Sequence, residues 1–193
     1  GNYGFYPAPG SSVLPLDIDD SETFREAGGE DLVAGAYCYS AHADRSKYRA
    51  LVLCHDIPDY WKGRKAVIKK HGDSSPVLEI FFPAGPRTVF IEETRAGTIR
   101  IKTTVLKTGG QVVGPYSIHP NGNMYEPFDD KAPLKTVKWS DIMKVCDNIR
   151  PNSLEEHEPK NAHISREYAA PGRKLLRDRY NLSLWDYLPE DHY

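Results

Sequence analysis

Seven histidines punctuate this chain of 193 residues: His42, His55, His71, His119, His157, His163 and His192. Imidazole titrates nearest neutrality, so these are the first candidates for acid–base or metal chemistry. His42-Ala43-Asp44 and His55-Asp56 with Asp59 have the residue types of metal ligands. The apolar strand between them argues against a shared ion. Seven extended residues at about 3.3 Å each hold His42 and His55 roughly 20 Å apart. The three cysteines, Cys38, Cys54 and Cys146, form no CxxC pair, so a zinc knuckle lacks its ligands. Neither a metal nor a cofactor is expected.

Cleaving a phosphodiester without metal asks for less: a general base, a general acid and a cation against the pentavalent oxyanion. His119 lies in a loop after the strand-rich region, and His55 closes an apolar segment. His163 precedes a basic cluster at Arg166, Arg173, Lys174, Arg177 and Arg179. These three are the catalytic candidates, His119 first, for a delivered effector or toxin domain. Cys54 and His55 do not make a nucleophile–base pair, because neighbours on a strand point to opposite faces. GxSxG, GxxxxGK(S/T) and GxGxxG are all absent, which leaves no hydrolase elbow, P-loop or dinucleotide fingerprint.

Anion binding is the other chemistry on offer, and it is the preferred reading. Twenty-five Lys and Arg against 27 Asp and Glu give a net charge of −2, which names no partner. The distribution is uneven. Residues 1–60 carry 4 basic and 10 acidic side chains, whereas residues 61–113 carry 10 basic and 4 acidic. Lys62, Arg64, Lys65, Lys69 and Lys70 open the basic block, and Arg100 and Lys102 alternate with Ile99 and Ile101. A sheet burying the isoleucines shows the two cations on its other face. Tyr60 and Trp61 stand beside the lysines as stacking platforms for bases. The partner so implied is a nucleic acid or an acidic protein. A third reading is structural: tyrosines near both ends (Tyr3, Tyr6, Tyr187, Tyr193) contacting neighbouring copies in an assembly.

These groups need a scaffold, and the hydrophobic pattern supplies one. Residues 1–20, rich in Gly, Pro, Ser and Asp, read as an irregular arm. A short helix capped by Ser21 and stopped by Gly28-Gly29 follows. From Asp31 to about Tyr116 the period is that of strands. Val33–Ser40 and Tyr48–His55 form a hairpin that makes Cys38 and Cys54 candidate cross-strand neighbours. Ala66–Lys69 and Gln111–Val113 are shorter strands, and Val77–Phe82, bounded by Pro76 and Pro83, reads as an edge or end strand. Thr88–Ile91 turns back into Thr98–Val105. With no helix-length segment between them, about seven short strands should pair mainly antiparallel, in a sandwich or partly open barrel.

Tyr116–Pro133 is a loop, and Ser140 caps a helix with Ile142, Val145, Cys146 and Ile149 on one stripe. A last helix begins near Pro171. The expected class is α+β: an arm and short helix over 1–30, an antiparallel β body over 31–116, and a loop with helices over 117–193, all one domain. No apolar run approaches the roughly 18 residues of a membrane helix. The chain opens on Gly1 without a Met and reads as an excised or processed piece, so its localisation stays open.

Overall fold

A computed structural model describes residues 2–94 and 98–154, with only the strand backbone given within 86–107. Contacts divide the chain into two units, and Gly1–Gly85 with Lys107–Glu158 form the first. Its strands are β1 (Gly4–Phe5), β2 (Val13–Ile18), β3 (Tyr37–Ser40), β4 (Tyr48–Cys54), β5 (Lys65–Ile68) and β6 (Leu78–Phe81). In the second unit, β7 (Gly85–Thr94) and β8 (Thr98–Lys107) pair in a two-stranded sheet. The first unit resumes with β9 (Val112–Val113), β10 (Glu126–Pro127) and β11 (Lys135–Val137). Helices α1 (Ser21–Glu26), α2 (Gly29–Val33) and α3 (Trp139–Ile149) complete the described elements.

The class is mixed α+β, mostly antiparallel, and the sheet does not close into a barrel. Seven strands share it in the order β10-β3-β4-β2-β6-β5, with β11 joined to β4. Every neighbouring pair is antiparallel except β11 with β4. β1 pairs separately with β9. Among the described residues no helix is long and apolar enough to cross a membrane.

Period-2 alternation explains the main core. Leu14, Leu16 and Ile18 of β2, Ala50, Val52 and Cys54 of β4, and Leu78 and Ile80 of β6 are all buried in one cluster. Phe24, Leu32, Val33, Ile142, Val145 and Cys146 enter the same cluster from the three helices. Burying a leucine- or isoleucine-sized side chain contributes about 1.5–3 kcal/mol, so this face dominates stability.

The opposite face is also covered. Tyr39, Ala41 and Tyr125 form a second buried cluster with Tyr37, Leu51 and Val113 packed against it. The Tyr39 hydroxyl donates to the Val113 carbonyl at 2.8 Å. Beside it, Arg49 pairs with Asp17 at 2.9 Å, with only 15% and 17% of the two side chains exposed. The Arg49 guanidinium lies 4.7 Å from the centre of the Tyr125 ring. Burial pushes the Asp17 carboxyl above its usual range in spite of that arginine.

Several local expectations change. Val13–Ile18 is no part of an irregular arm; it is the strand between β4 and β6. Pro15 is tolerated there because β6 pairs only with Leu16–Ile18, leaving Pro15 bonded to a neighbour on one side alone. β6, expected at an edge, is interior, flanked by β2 and β5. Residues 31–33, expected to open the strand region, are helical instead, within α2. Cys38 lies opposite Ala50, Cys54 is out of its reach in register, and all three thiols are free and buried. The helix proposed from Pro171 lies outside the described residues.

Helix capping departs from expectation too. Asp20, not Ser21, caps α1, accepting from the Thr23 N–H at 3.0 Å and the Thr23 hydroxyl at 2.6 Å. Ser140 does not cap α3. The Trp139 N–H at its start donates instead to Asp56, 2.9 Å away, from the segment after β4. Asp56 also accepts from the Cys54 thiol at 3.3 Å. These donors hold both carboxyls below the usual Asp range: the Thr23 donors for Asp20, and the Trp139 N–H, then Cys54, for Asp56.

Two measurements follow from this packing. Arg49→Met strands the Asp17 carboxylate and is expected to cost about 3 kcal/mol in urea unfolding, most of it recovered when Asp17→Leu is added; equal stability of the two variants would contradict this. Asp20→Ala and Asp56→Ala are each expected to lose about 1 kcal/mol at pH 7. Because both native pKa values are depressed, the capping contribution is present above the unfolded value of about 3.9 and disappears as pH falls through the folded value. The gap from the parent protein should therefore narrow in acid.

Candidate functional site

The basic segment lies at one end of the large sheet, on β5 and its flanks. Alternation puts Ala66 and Ile68 inside and leaves Lys65 exposed. Its ammonium reaches both Glu79 oxygens, at 3.0 and 3.1 Å, across the β5–β6 ladder. Lys62 pairs with Asp59 at 2.5 Å, and Lys70 with Asp20 at 3.7 Å. The Arg64 Nε donates to the Tyr60 carbonyl at 2.7 Å, and its Cζ sits 3.9 Å from the centre of the Tyr60 ring. Lys69 is half-buried just past the strand. Arg100 and Lys102 lie on β8, and their side chains are outside the described residues.

Trp61 does not belong to this surface. It is 2% exposed, stacked on Phe82 at 5.0 Å between centroids and 6.2 Å from Trp139. An indole enclosed by core aromatics offers no face to a base, so its role is packing. Tyr60 is partly buried, packed against the same core and facing Arg64.

The histidines sort differently from their order in sequence. His119 meets His42, with ring centroids 5.2 Å apart in an edge-to-face arrangement, and Tyr125 lies 5.5 Å from His119. The meeting has a local cause. The side-chain amides of Asn121 and Asn123 both donate to the Ala41 carbonyl, at 3.3 and 3.1 Å, tying the His119 loop to the turn that carries His42. The Asn121 N–H donates to His119 Nδ1 at 3.1 Å, which leaves the proton of the neutral ring on Nε2. His55 is elsewhere, at the far end of β4, with its Nδ1 2.8 Å from the Ser12 hydroxyl. His163 lies outside the described residues. Nothing in the linear spacing of His42 and His119 signals their meeting; it depends on two asparagines finding one carbonyl.

A third surface is tyrosine-rich. Tyr3, Tyr6, Tyr116, Ile118 and Met124 are all at least 43% exposed. Ile118 bridges to Met124, and the Asn2 side chain bonds both the N–H and the C=O of Ile118. The Tyr3 ring lies close enough to Gly114 that a Cβ there would collide with it. Tyr116 holds a left-handed backbone, φ 63°, and its hydroxyl donates to Asp130. That bond, with the Asp130 charge and the nearby Tyr37 and Tyr3 phenols, pushes the Tyr116 phenol up to about 12. Tyr187 and Tyr193 of the assembly reading lie outside the described residues.

Among the described residues no group of three or more His, Cys, Asp or Glu is placed to hold a metal ion. A cleft of about 460 Å³ between the helices and β11 is lined by Glu26, Asp31, Lys135, Asp141, Lys144 and Asn148. Lys135 and Asn148 are committed there to backbone carbonyls of Asp31 and Ala27, at 2.7 and 2.9 Å. Burial drives the Cys38, Cys54 and Cys146 thiols up, to about 11, 12 and 12, away from nucleophilic reactivity. No protein-family model matches the chain, nor does any curated protein.

The placement of Trp61 is open to direct measurement. Trp61→Ala is expected to lower unfolding free energy by about 3–5 kcal/mol through the cavity it leaves. Unchanged denaturation with loss of ligand binding would return Trp61 to the surface.

Proposed function

We propose that this chain is a recognition module that binds an anionic partner along residues 62–70 at the β5 end of its sheet. The observation that carries it is the excess of cations there: Lys62, Arg64, Lys65, Lys69 and Lys70 against Asp59, Glu79 and Asp20. The Lys62 and Lys70 pairs stand in solvent, and such pairs are worth about 0–1 kcal/mol. A phosphate or carboxylate of a partner can replace them at little cost. Arg64, stacked on Tyr60, presents an ordered guanidinium suited to either anion. Lysine on an end strand also discourages pairing with other chains, so one set of residues serves both purposes. Arg100 and Lys102, by the sequence alternation of β8 in the second unit, offer a separate pair of cations to the same kind of partner.

A second reading has its own observation. The His42–His119 pair puts two imidazoles side by side on loops, as acid–base cleavage of a phosphodiester needs. In this reading His42 takes the place of His55 beside His119.

One experiment separates the two. End-labelled RNA and DNA, and polyglutamate, are titrated with the protein at low and moderate salt, and the nucleic acids are then run on denaturing gels with EDTA. Binding is expected to weaken with salt, and Lys62→Ala/Lys69→Ala/Lys70→Ala should flatten the log–log salt slope by about one for each phosphate no longer neutralised. An unaltered slope and affinity in the triple variant would falsify the binding reading. Cleavage that survives EDTA and is abolished in both His42→Ala and His119→Ala favours the second.

A further inference from the structure

The tyrosine surface sits at the other end of the sheet from β5. Tyr37 is on β3, next to the end strand β10, and Asp130 follows β10 closely. The hydroxyl of Tyr116 is bonded to the Asp130 carboxylate. The Tyr3 ring lies against Gly114, two residues before Tyr116, and Tyr37 packs against the same small cluster as Val113. Tyr3 and Tyr37 thus flank the segment that carries Tyr116 and its bonded carboxylate. Over residues 126–131 the charged side chains are Glu126, Asp129, Asp130 and Lys131, all exposed and acidic on balance.

The surroundings are built rather than loose. Tyr3 is anchored through its N–H and C=O to the Ser117 hydroxyl, at 3.2 and 3.3 Å, and its C=O also accepts from the Gly114 N–H. Tyr116 is held by its N–H on the Tyr125 carbonyl at 2.7 Å. Ser117 and Tyr125 point inward and are buried, while Tyr116, Ile118 and Met124 stay exposed on the outer side. A bulky residue in the left-handed region is strained and persists only when its surroundings impose it. Here the strain presents an exposed ring beside a carboxylate.

From this juxtaposition we infer that Tyr3, Tyr37, Tyr116 and Asp130 form a binding site for a cationic side chain, an arginine or lysine of a partner peptide. Phenol rings attract cations through their electron-rich faces, and a carboxylate within the group adds a charge-assisted hydrogen bond. Ile118 and Met124 extend the site as an apolar shelf for residues flanking the cation. Methionine at such a surface adapts to different side chains. The site is separate from the basic segment and does not depend on the anion-binding reading.

The test uses the whole chain and three blocked peptides of sequence Gly-Leu-X-Leu-Gly, with X arginine, glutamine or glutamate. Binding is followed by NMR of the tyrosine ring protons, with far-UV circular dichroism as the folding check on each variant. The arginine peptide is expected to bind saturably and shift the Tyr3, Tyr37 and Tyr116 rings. The glutamine peptide should bind about tenfold more weakly, and the glutamate peptide more weakly still. Asp130→Asn, at an exposed position, should remove about the same factor from the arginine peptide alone, and Tyr116→Phe should leave a measurable part. Equal affinity for arginine and glutamine peptides, or no effect of Asp130→Asn, would overturn the proposal. So would a concentration-dependent dimer that loses stability in Asp130→Asn while no peptide binds, because a second copy would then be the occupant.

Discussion

Covering both faces of β2 and β4 is the constraint on which the rest of the first unit depends. One face is ordinary: alternate apolar residues meet three helices. The other carries Asp17 and Arg49 directly opposite each other in register, paired at 2.9 Å and largely shielded from water. An ion pair removed from water loses more solvation than its mutual attraction returns unless other groups share the charge. Tyr125 supplies one, with its ring against the guanidinium. Tyr39 supplies another anchor by donating to Val113, so the 112–125 segment is fastened over the pair at two points. The exposed groups of that segment, Tyr116, Ile118 and Met124, are a consequence: a short cover that turns Ser117 and Tyr125 inward must turn their neighbours out.

The same arrangement explains what could be read from the chain and what could not. β4 declares itself, because Ala-Leu-Val-Leu-Cys is a short unbroken apolar run with no Gly or Pro in it. β2 alternates in Leu14, Leu16 and Ile18 but hides it behind Pro15 and a Pro- and Gly-rich approach. Only its partners reveal it, since β6 stops short of the proline. The Ile142–Val145–Cys146 stripe identifies α3 from spacing alone. Its start is invisible locally, because the carboxylate that satisfies the Trp139 N–H belongs to Asp56, far back in the chain. Trp61 misleads for a related reason. Lysine and arginine next to an aromatic suggest a stacking surface, yet a 3-10 turn over Asp59–Trp61 points the indole inward while Lys62 stays at the surface.

Charge shows the same limit. The acidic surplus of residues 1–60 and the basic surplus of residues 61–113 are plain from counting, but pairing is a property of the fold. Asp20 serves twice, capping α1 and facing Lys70, and Glu79 reaches Lys65 only because β5 and β6 run antiparallel in that register. The two histidines that touch are likewise joined by Asn121 and Asn123 on one carbonyl. A pattern of charges or imidazoles along a chain therefore marks candidates; hydrogen bonds from neutral residues decide which of them meet.

Sheet order then gives the two surfaces their independence. β3, with Tyr37, and β5, with Lys65, are separated by β4, β2 and β6. Four inter-strand spacings of about 4.8 Å make roughly 19 Å. At physiological salt the screening length is about 8 Å, so an anion held at the β5 end hardly alters the field at Asp130. Electrostatics alone couples the two ends weakly. What links them mechanically is the β2–β4 centre with its Asp17–Arg49 pair, since Tyr125 ties the tyrosine surface to Arg49 and β2 carries β6 and, beyond it, β5. A change that loosens that pair should disturb the tyrosine surface first, because only the 112–125 cover rests on it directly, whereas β5 remains held by Ala66 and Ile68 in the larger core.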